Sequence, residues 1–241
     1  MSLPVLNTPT FELILPSTGK KVKFRPFLVK EQRNLMMALE SDESDTIERN
    51  VKQILTNCTL TENIDIDSLP VIDIEYYFLN LRARSVGEVV ENDYICNNTV
   101  DDKECGNKMK ASFNILELKV QIDPDSKEII QLTDKISIKM KYPEYSIINK
   151  LKNKKSEVDM AFEIIADSIE YVFDGEQYYY AKETPKKELS DFIDSLNQEQ
   201  FSKIENFFNN LPKMKKEIDM TCSKCGFNHH IMVEGLEDFF G

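Results

Sequence analysis

A chain of 241 residues with 41% hydrophobic and 30% charged side chains is long enough to bury a sizeable core, and this composition excludes a disordered or fibrous protein. Its 42 acidic residues outnumber 30 basic ones, and the net charge of -12 argues against polyanionic partners, nucleic acid above all. No apolar run reaches the ~20 residues that span a bilayer, and Met1 to Thr10 lacks a signal-peptide pattern, so the chain reads as cytosolic with no membrane span.

Phe11 to Leu15 and Lys21 to Phe24 are strand-like runs joined by Pro16-Ser17-Thr18-Gly19, which predicts an N-terminal hairpin. From Leu28 the apolar spacing becomes helical. Leu35, Met36 and Leu39 mark one side of a first helix, and Ile47, Val51, Ile54, Leu55 and Cys58 that of a second over Asp45 to Cys58. A third helix is predicted over Ile72 to Arg84, with Ile72, Tyr76, Leu79 and Ala83 inward.

From Gly87 the period switches to two. Met109, Ala111, Phe113 and Ile115 alternate with polar residues, as do Ile136, Ile138, Met140 and Tyr142. Asp123-Pro124-Asp125-Ser126 between them is a turn signal that predicts a second hairpin or short meander. Ser156 and Asp159 then form a candidate capping box for a helix carrying Val158, Phe162, Ile165, Ile169 and Val172, ended by Gly175. Thr184 and Pro185 open another helix with Leu189, Phe192, Ile193 and Leu196, and a last one carries Phe201, Ile204, Phe208 and Leu211 before Pro212.

In a reducing compartment the five cysteines point to metal binding, catalysis or plain burial. Cys222-Ser223-Lys224-Cys225-Gly226 is a knuckle in which two thiolates bind one ion and glycine relieves the turn between two strands. Tyr94-Ile95-Cys96 and Cys105-Gly106 repeat the arrangement with a longer loop. Cys96, Cys105, Cys222 and Cys225 together satisfy the tetrahedral preference of Zn²⁺ and close the site, the structural kind. Two alternatives stay open: cysteines that are unlinked or disulfide-bonded, and a mixed site that includes a histidine. His229 and His230 are neighbours, so on a strand only one of them could reach the ion, and burial of one beside the knuckle with the other solvated is the simpler reading. Cys58 falls on a helical apolar face and reads as core.

The fold expected is α+β: an N-terminal β-hairpin and helices, a β-rich middle, a helical segment, and a zinc-ribbon-like pair of hairpins formed by distant segments. The corresponding domains are 1–85, a ribbon module of 86–118 with 212–241, and an inserted segment of 119–211. With no P-loop, H-E-x-x-H or G-x-S-x-G motif, and two adjacent imidazoles only, the chain reads as a non-enzyme with no catalytic or cofactor-binding residue. The C-terminal Leu236, Phe239 and Phe240 either meet a partner or pack on the chain's own core. A second function class is a zinc-ribbon nucleic-acid-binding regulator, for which Lys103, Lys108, Lys110, Lys213, Lys215, Lys216 and Lys224 would supply a basic face.

Leu3-Pro4-Val5-Leu6-Asn7-Thr8-Pro9, then Phe11 to Pro16, then Lys23-Phe24-Arg25-Pro26-Phe27-Leu28, resembles the baseplate protein family of T4-like bacteriophages. Members include a baseplate hub subunit and a hub assembly catalyst, and Arg-Pro-Phe after the first hairpin is the family's recurring motif, here Arg25-Pro26-Phe27. The resemblance implies a phage protein of tail assembly that works on other baseplate hub proteins in the host cytoplasm, as a virion component or as a factor absent from the finished particle. On chemical grounds Arg25 is expected to pair with a carboxylate, Pro26 to stop the strand and Phe27 to anchor the next helix.

Overall fold

The structure is a computed structural model that describes residues 6–41, 44–123, 127–147 and 156–235. Leu3 to Val5, Pro124 to Ser126 of the expected turn, the side chain of Leu39, and Leu236, Phe239 and Phe240 lie outside the described residues. The architecture is α+β, with six helices and several small antiparallel sheets among the described residues. Two compact units emerge, one of Met1–Ile66, Ile72–Gln121 and Lys213–Gly241, the other of Asp67–Val71 and Ile122–Pro212.

In the first unit β1 (Phe11–Ile14) pairs with β2 (Lys21–Phe24), Ile14 opposite Lys21. Gly19 closes the turn at φ +66°, a conformation that glycine adopts without the Cβ penalty. Asp73, fully buried in the first turn of a helix, accepts hydrogen bonds from the Ser17 N–H, Ser17 Oγ and Thr18 Oγ1 at 2.9, 2.8 and 3.1 Å. That carboxylate ties the hairpin tip to the helix start, where negative charge also suits the dipole.

The Arg-Pro-Phe motif fixes the chain's own fold. Arg25 donates to Glu31 Oε1 at 3.1 Å and to the Pro26 carbonyl at 2.9 Å, while Glu31 Oε2 accepts the Leu28 N–H at 2.8 Å. Glu31, only 3% exposed, thereby caps helix α1 (Val29–Glu40). Pro26 offers no N–H and ends β2; Phe27 is buried, and its N–H reaches Ser85 Oγ at 3.0 Å.

On α1 the inward residues are Glu31, Leu35 and Ala38, whereas Met36 is 56% exposed, against the expected face. Leu35 and Met36 are neighbours about 100° apart on a helix, and the i, i+4, i+7 stripe passes through the former. Helix α2 (Ser44–Cys58) buries Val51, Ile54, Leu55 and Cys58 as expected. Helix α3 (Val71–Val86) is not the one-faced helix the periodicity suggested. Ile74, Tyr77, Phe78 and Leu81 are buried as fully as Ile72, Leu79 and Ala83, because structure covers α3 on several sides.

Strands β3 (Val89–Ile95) and β6 (Lys108–Asn114) pair from Val89 opposite Asn114 to Ile95 opposite Lys108. Between them β4 (Thr99–Val100) and β5 (Lys103–Glu104) form a small hairpin within the loop between Cys96 and Cys105. Asp101 and Asp102 turn it at φ 51° and 60°, the two positive angles of a tight primed turn. Strand β7 (Val120–Gln121) pairs with β12 (Lys213–Thr221), and β12 pairs with β13 (Asn228–Glu234). The expected hairpin of Met109–Ile115 with Ile136–Tyr142 across the Asp123 turn does not form among the described residues: β6 pairs with β3, and Ile138 and Met140 lie in a strand of the second unit. Ile72, Leu79 and Ala83 of α3 meet Val90, Phe113, Met214 and Val233 of the two ribbons in one apolar cluster.

In the second unit β8 (Ile129–Gln131), β9 (Ser137–Met140), β10 (Ile169–Phe173) and β11 (Tyr178–Tyr180) form a sheet in the order β11-β10-β9-β8. Helix α4 (Glu157–Ser168) starts at the Ser156 cap, whose side chain accepts the Asp159 N–H. It ends at Ser168, not near Gly175. Ile169, Tyr171, Val172 and Phe173 are β-branched or aromatic, residue types that favour a strand, and the segment pairs with β9 and β11. Val158, expected inward, is exposed. Helices α5 (Lys186–Asp194) and α6 (Gln198–Asn209) add Ile193, Ile204 and Phe207 to a core with Ile138, Met140, Ile165, Ile169 and Val172. A full capping box between Asn197 and Gln200 starts α6.

Asp73→Ala removes the acceptor of three hydrogen bonds from the hairpin tip and is expected to lower stability by about 2 kcal/mol, read from the urea midpoint, with Asp73→Asn intermediate. Burial, and then the charge of Glu234, pushes the Glu75 carboxyl from its ordinary 4.5 up to about 7. The folded chain therefore holds this proton more tightly than the unfolded one, and that stabilisation is full below pH 4.5 and is lost as the pH rises through about 7. Glu75→Gln should flatten the fall in stability over that window, measured by denaturant unfolding at several pH values.

Candidate metal centre

Two ribbon tips carry the four cysteines singled out from the sequence, and their local backbones match. In the second, the Cys222 N–H donates to the Phe227 carbonyl and the Gly226 N–H to the Cys222 carbonyl, both at 2.8 Å. In the first, the Cys96 N–H donates to the Asn107 carbonyl at 2.9 Å and the Gly106 N–H to the Cys96 carbonyl at 3.0 Å. Gly106 and Gly226 sit at φ +61° and +73°, the angle each turn demands. The extra residues of the first tip form the β4–β5 hairpin, rooted by the Cys105 N–H on the Asn98 carbonyl at 2.8 Å.

The tips face each other. Cys96 Sγ lies 3.6 Å from Cys225 Sγ, and Cys105 Sγ lies 3.7 Å from Cys222 Sγ. All four sulfurs fall within 4.8 Å of one another, a group that could hold one metal ion. All five cysteines are free, at separations well beyond the ~2.05 Å of a disulfide. Cys58 is elsewhere, fully buried in α2, and burial pushes its thiol up to about 11.

The electrostatics divide the four thiols into two pairs. The Cys225 N–H, followed by the Lys224 N–H, holds Cys222 down at about 6, and the Phe227 N–H lowers Cys225. Burial pushes Cys96 up to about 12. The Asn107 N–H is the largest influence on Cys105 and favours its thiolate, yet burial and the neighbouring thiols carry Cys105 upward. The second knuckle therefore offers thiolates readily, and the first gives up its protons only to something that replaces them.

His229 and His230 point to opposite faces of β13. The first is half-buried with Nε2 3.2 Å from Cys96 Sγ; the second is exposed and bonded to Asp219 Oδ1 at 2.8 Å. Neither belongs to the four-sulfur group. Three residues around it were missed in the sequence. Asn98 Nδ2 reaches Cys225 Sγ at 3.6 Å, Asn107 Nδ2 reaches Cys222 Sγ at 3.4 Å, and Lys224 Nζ donates to the Cys105 carbonyl at 2.8 Å. A faint signal was available, since an asparagine stands two residues after each cysteine of the first knuckle.

The lysines proposed for a basic face are interleaved with acids. Lys110 stands opposite Asp93, and Lys213 and Lys215 reach Glu234 at 2.9 and 3.7 Å. No helix among the described residues is long and apolar enough to cross a membrane.

A likeness to known proteins extends over nearly the whole chain. It is 25% identical over 223 residues to the baseplate hub assembly protein gp26 of Enterobacteria phage T4, covering 92% of this chain and 93% of that one. No solved structure matches it. The model of the family described as T4 bacteriophage base plate protein matches residues 8–241, well past the Arg-Pro-Phe segment that first suggested it, and the chain belongs to that family.

Proposed function

We propose that this chain is a bacteriophage baseplate hub assembly or structural protein that acts through protein–protein contacts and without catalysis, in the host cytoplasm while tails are built. The observation that carries the reading is the likeness to a baseplate hub assembly protein over 92% of this chain and 93% of that one. The exposed Tyr178, Tyr179 and Tyr180 on edge strand β11 supply the kind of aromatic surface on which partners dock. The nucleic-acid alternative requires a continuous basic face, and Asp93 and Glu234 interrupt it.

The same proposal includes a structural Zn²⁺ held by Cys96, Cys105, Cys222 and Cys225, which makes the two hairpins a zinc-ribbon-like module. A tetrahedron with Zn–S bonds of ~2.3 Å has edges of about 3.8 Å, close to the sulfur separations of 3.6 and 3.7 Å. Four thiolates fill the coordination shell, so the ion would cross-link and would not catalyse. Closing a loop between Cys105 and Cys222, 117 positions apart, costs about 4 kcal/mol in the logarithmic term, whereas structural zinc binding supplies of the order of 10 kcal/mol. The ion wins that comparison.

Co-expression with the other hub proteins of the same phage, followed by affinity purification, should give a stable complex; binding to none of them would reject the assembly role. Elemental analysis of the purified chain should find one zinc per chain, and Cys225→Ser should lower that content. Binding should release protons from the thiols and weaken as the pH falls, measured by calorimetry in buffers of different ionisation enthalpy.

A further inference from the structure

The polar contacts around the four sulfurs share a direction. Asn98 and Asn107 belong to the first hairpin, and their amides approach the sulfurs of Cys225 and Cys222 in the second. His229 belongs to the second hairpin, and its Nε2 approaches Cys96 in the first. Lys224, on the second knuckle, donates to the Cys105 carbonyl of the first, and Asn107 Nδ2 also reaches Ser223 Oγ at 3.3 Å. Each of these bonds crosses from one tip to the other. A merely solvated set of polar residues would have no reason to do so.

Charge gives the arrangement its purpose. Four thiolates around a divalent ion leave two negative charges in a site where Cys96 and Cys222 are buried, within a chain whose net charge is already -12. Buried anionic sulfur needs hydrogen-bond donors, and donors aimed at ligand atoms also fix their orientation. The His229 ring is itself oriented, packed edge-on against Phe227 with centroids 4.8 Å apart. Amide and imidazole N–H donors suit this place well, because they spread the sulfur charge and a ring nitrogen that carries its proton does not ligate the ion.

We propose that His229, Asn98 and Asn107 are the positioning residues of the metal centre, each donating a hydrogen bond across the ribbon pair to a thiolate of the opposite knuckle, with His229 carrying its proton on Nε2 toward Cys96. This rests on the metal reading above and assigns His229 a role outside the coordination shell. Outer-shell partners of this kind typically alter metal affinity by 10- to 100-fold.

The test uses the full chain and Zn²⁺ in competition with a chromophoric chelator. Wild type should bind one equivalent; His229→Ala should bind one equivalent 10- to 100-fold more weakly, His229→Gln should recover most of the loss, and His230→Ala should match wild type. Absence of Zn²⁺ binding by wild type would overturn the metal reading itself. Tight wild-type binding with unchanged affinity in His229→Ala would overturn only the positioning role. With Co²⁺ in place of Zn²⁺, the visible spectrum of His229→Ala should keep its four-thiolate character, and a change of donor set would make His229 a ligand and sink the proposal. Should His229→Ala fail to fold, the nitrogen NMR spectrum of Zn²⁺-loaded wild type decides: a proton on Nε2 of His229 supports the assignment, and a bare Nε2 overturns it.

Discussion

The convergence of two ribbon tips on one small volume is the constraint around which the first unit is arranged. Cys96 and Cys225 are 129 positions apart, and their sulfurs are 3.6 Å apart. Chain entropy opposes such a meeting, so it must be held by more than one kind of contact. Beneath the tips, α3 packs against both ribbons through Ile72, Leu79, Ala83, Val90, Phe113, Met214 and Val233. At the tips matched hydrogen bonds and positive φ angles at Gly106 and Gly226 give both knuckles the same kind of turn, and the four sulfurs come together.

This arrangement explains how the chain accommodates a second unit. The chain leaves the first unit after β7 and returns at β12, and these two strands pair, Gln121 opposite Lys213. A long excursion between paired strands raises the closure term only logarithmically. The second unit has its own sheet and its own apolar cluster around Ile138, Met140, Ile204 and Phe207, which lets it satisfy its backbone and bury its side chains locally.

The N-terminal segment shows how a short motif serves the fold. Arg25, Pro26 and Phe27 each act on a different neighbour, respectively Glu31, the end of β2 and the buried core beside Ser85. Because Glu31 also caps α1, the pair is a structural joint between hairpin and helix. Removing Arg25 would leave the buried Glu31 carboxylate with only the exposed Lys30 and the Leu28 N–H to offset its charge. The likeness that extends over residues 8–241 therefore includes a motif whose work here is internal.

Local physics was legible in the sequence. The first hairpin, α2, the β6 alternation, the Ser156 cap and both Cys-Gly knuckles follow from period, turn chemistry and cap residues, each of which acts within a few positions. The same locality explains the failures. Met36 could not be told from Leu35, α3 could not be seen to be buried on several sides, and Ile169 to Phe173 fitted a helix face as well as a strand until β9 and β11 lay beside it. The cysteine residue types and their spacing were read directly, but the crossing donors Asn98, Asn107 and Lys224 are ordinary polar residues along the chain. Only the tertiary structure decided which sulfur or carbonyl each one meets, because those distances are set by the packing of two ribbons on α3 and by no pattern within either ribbon.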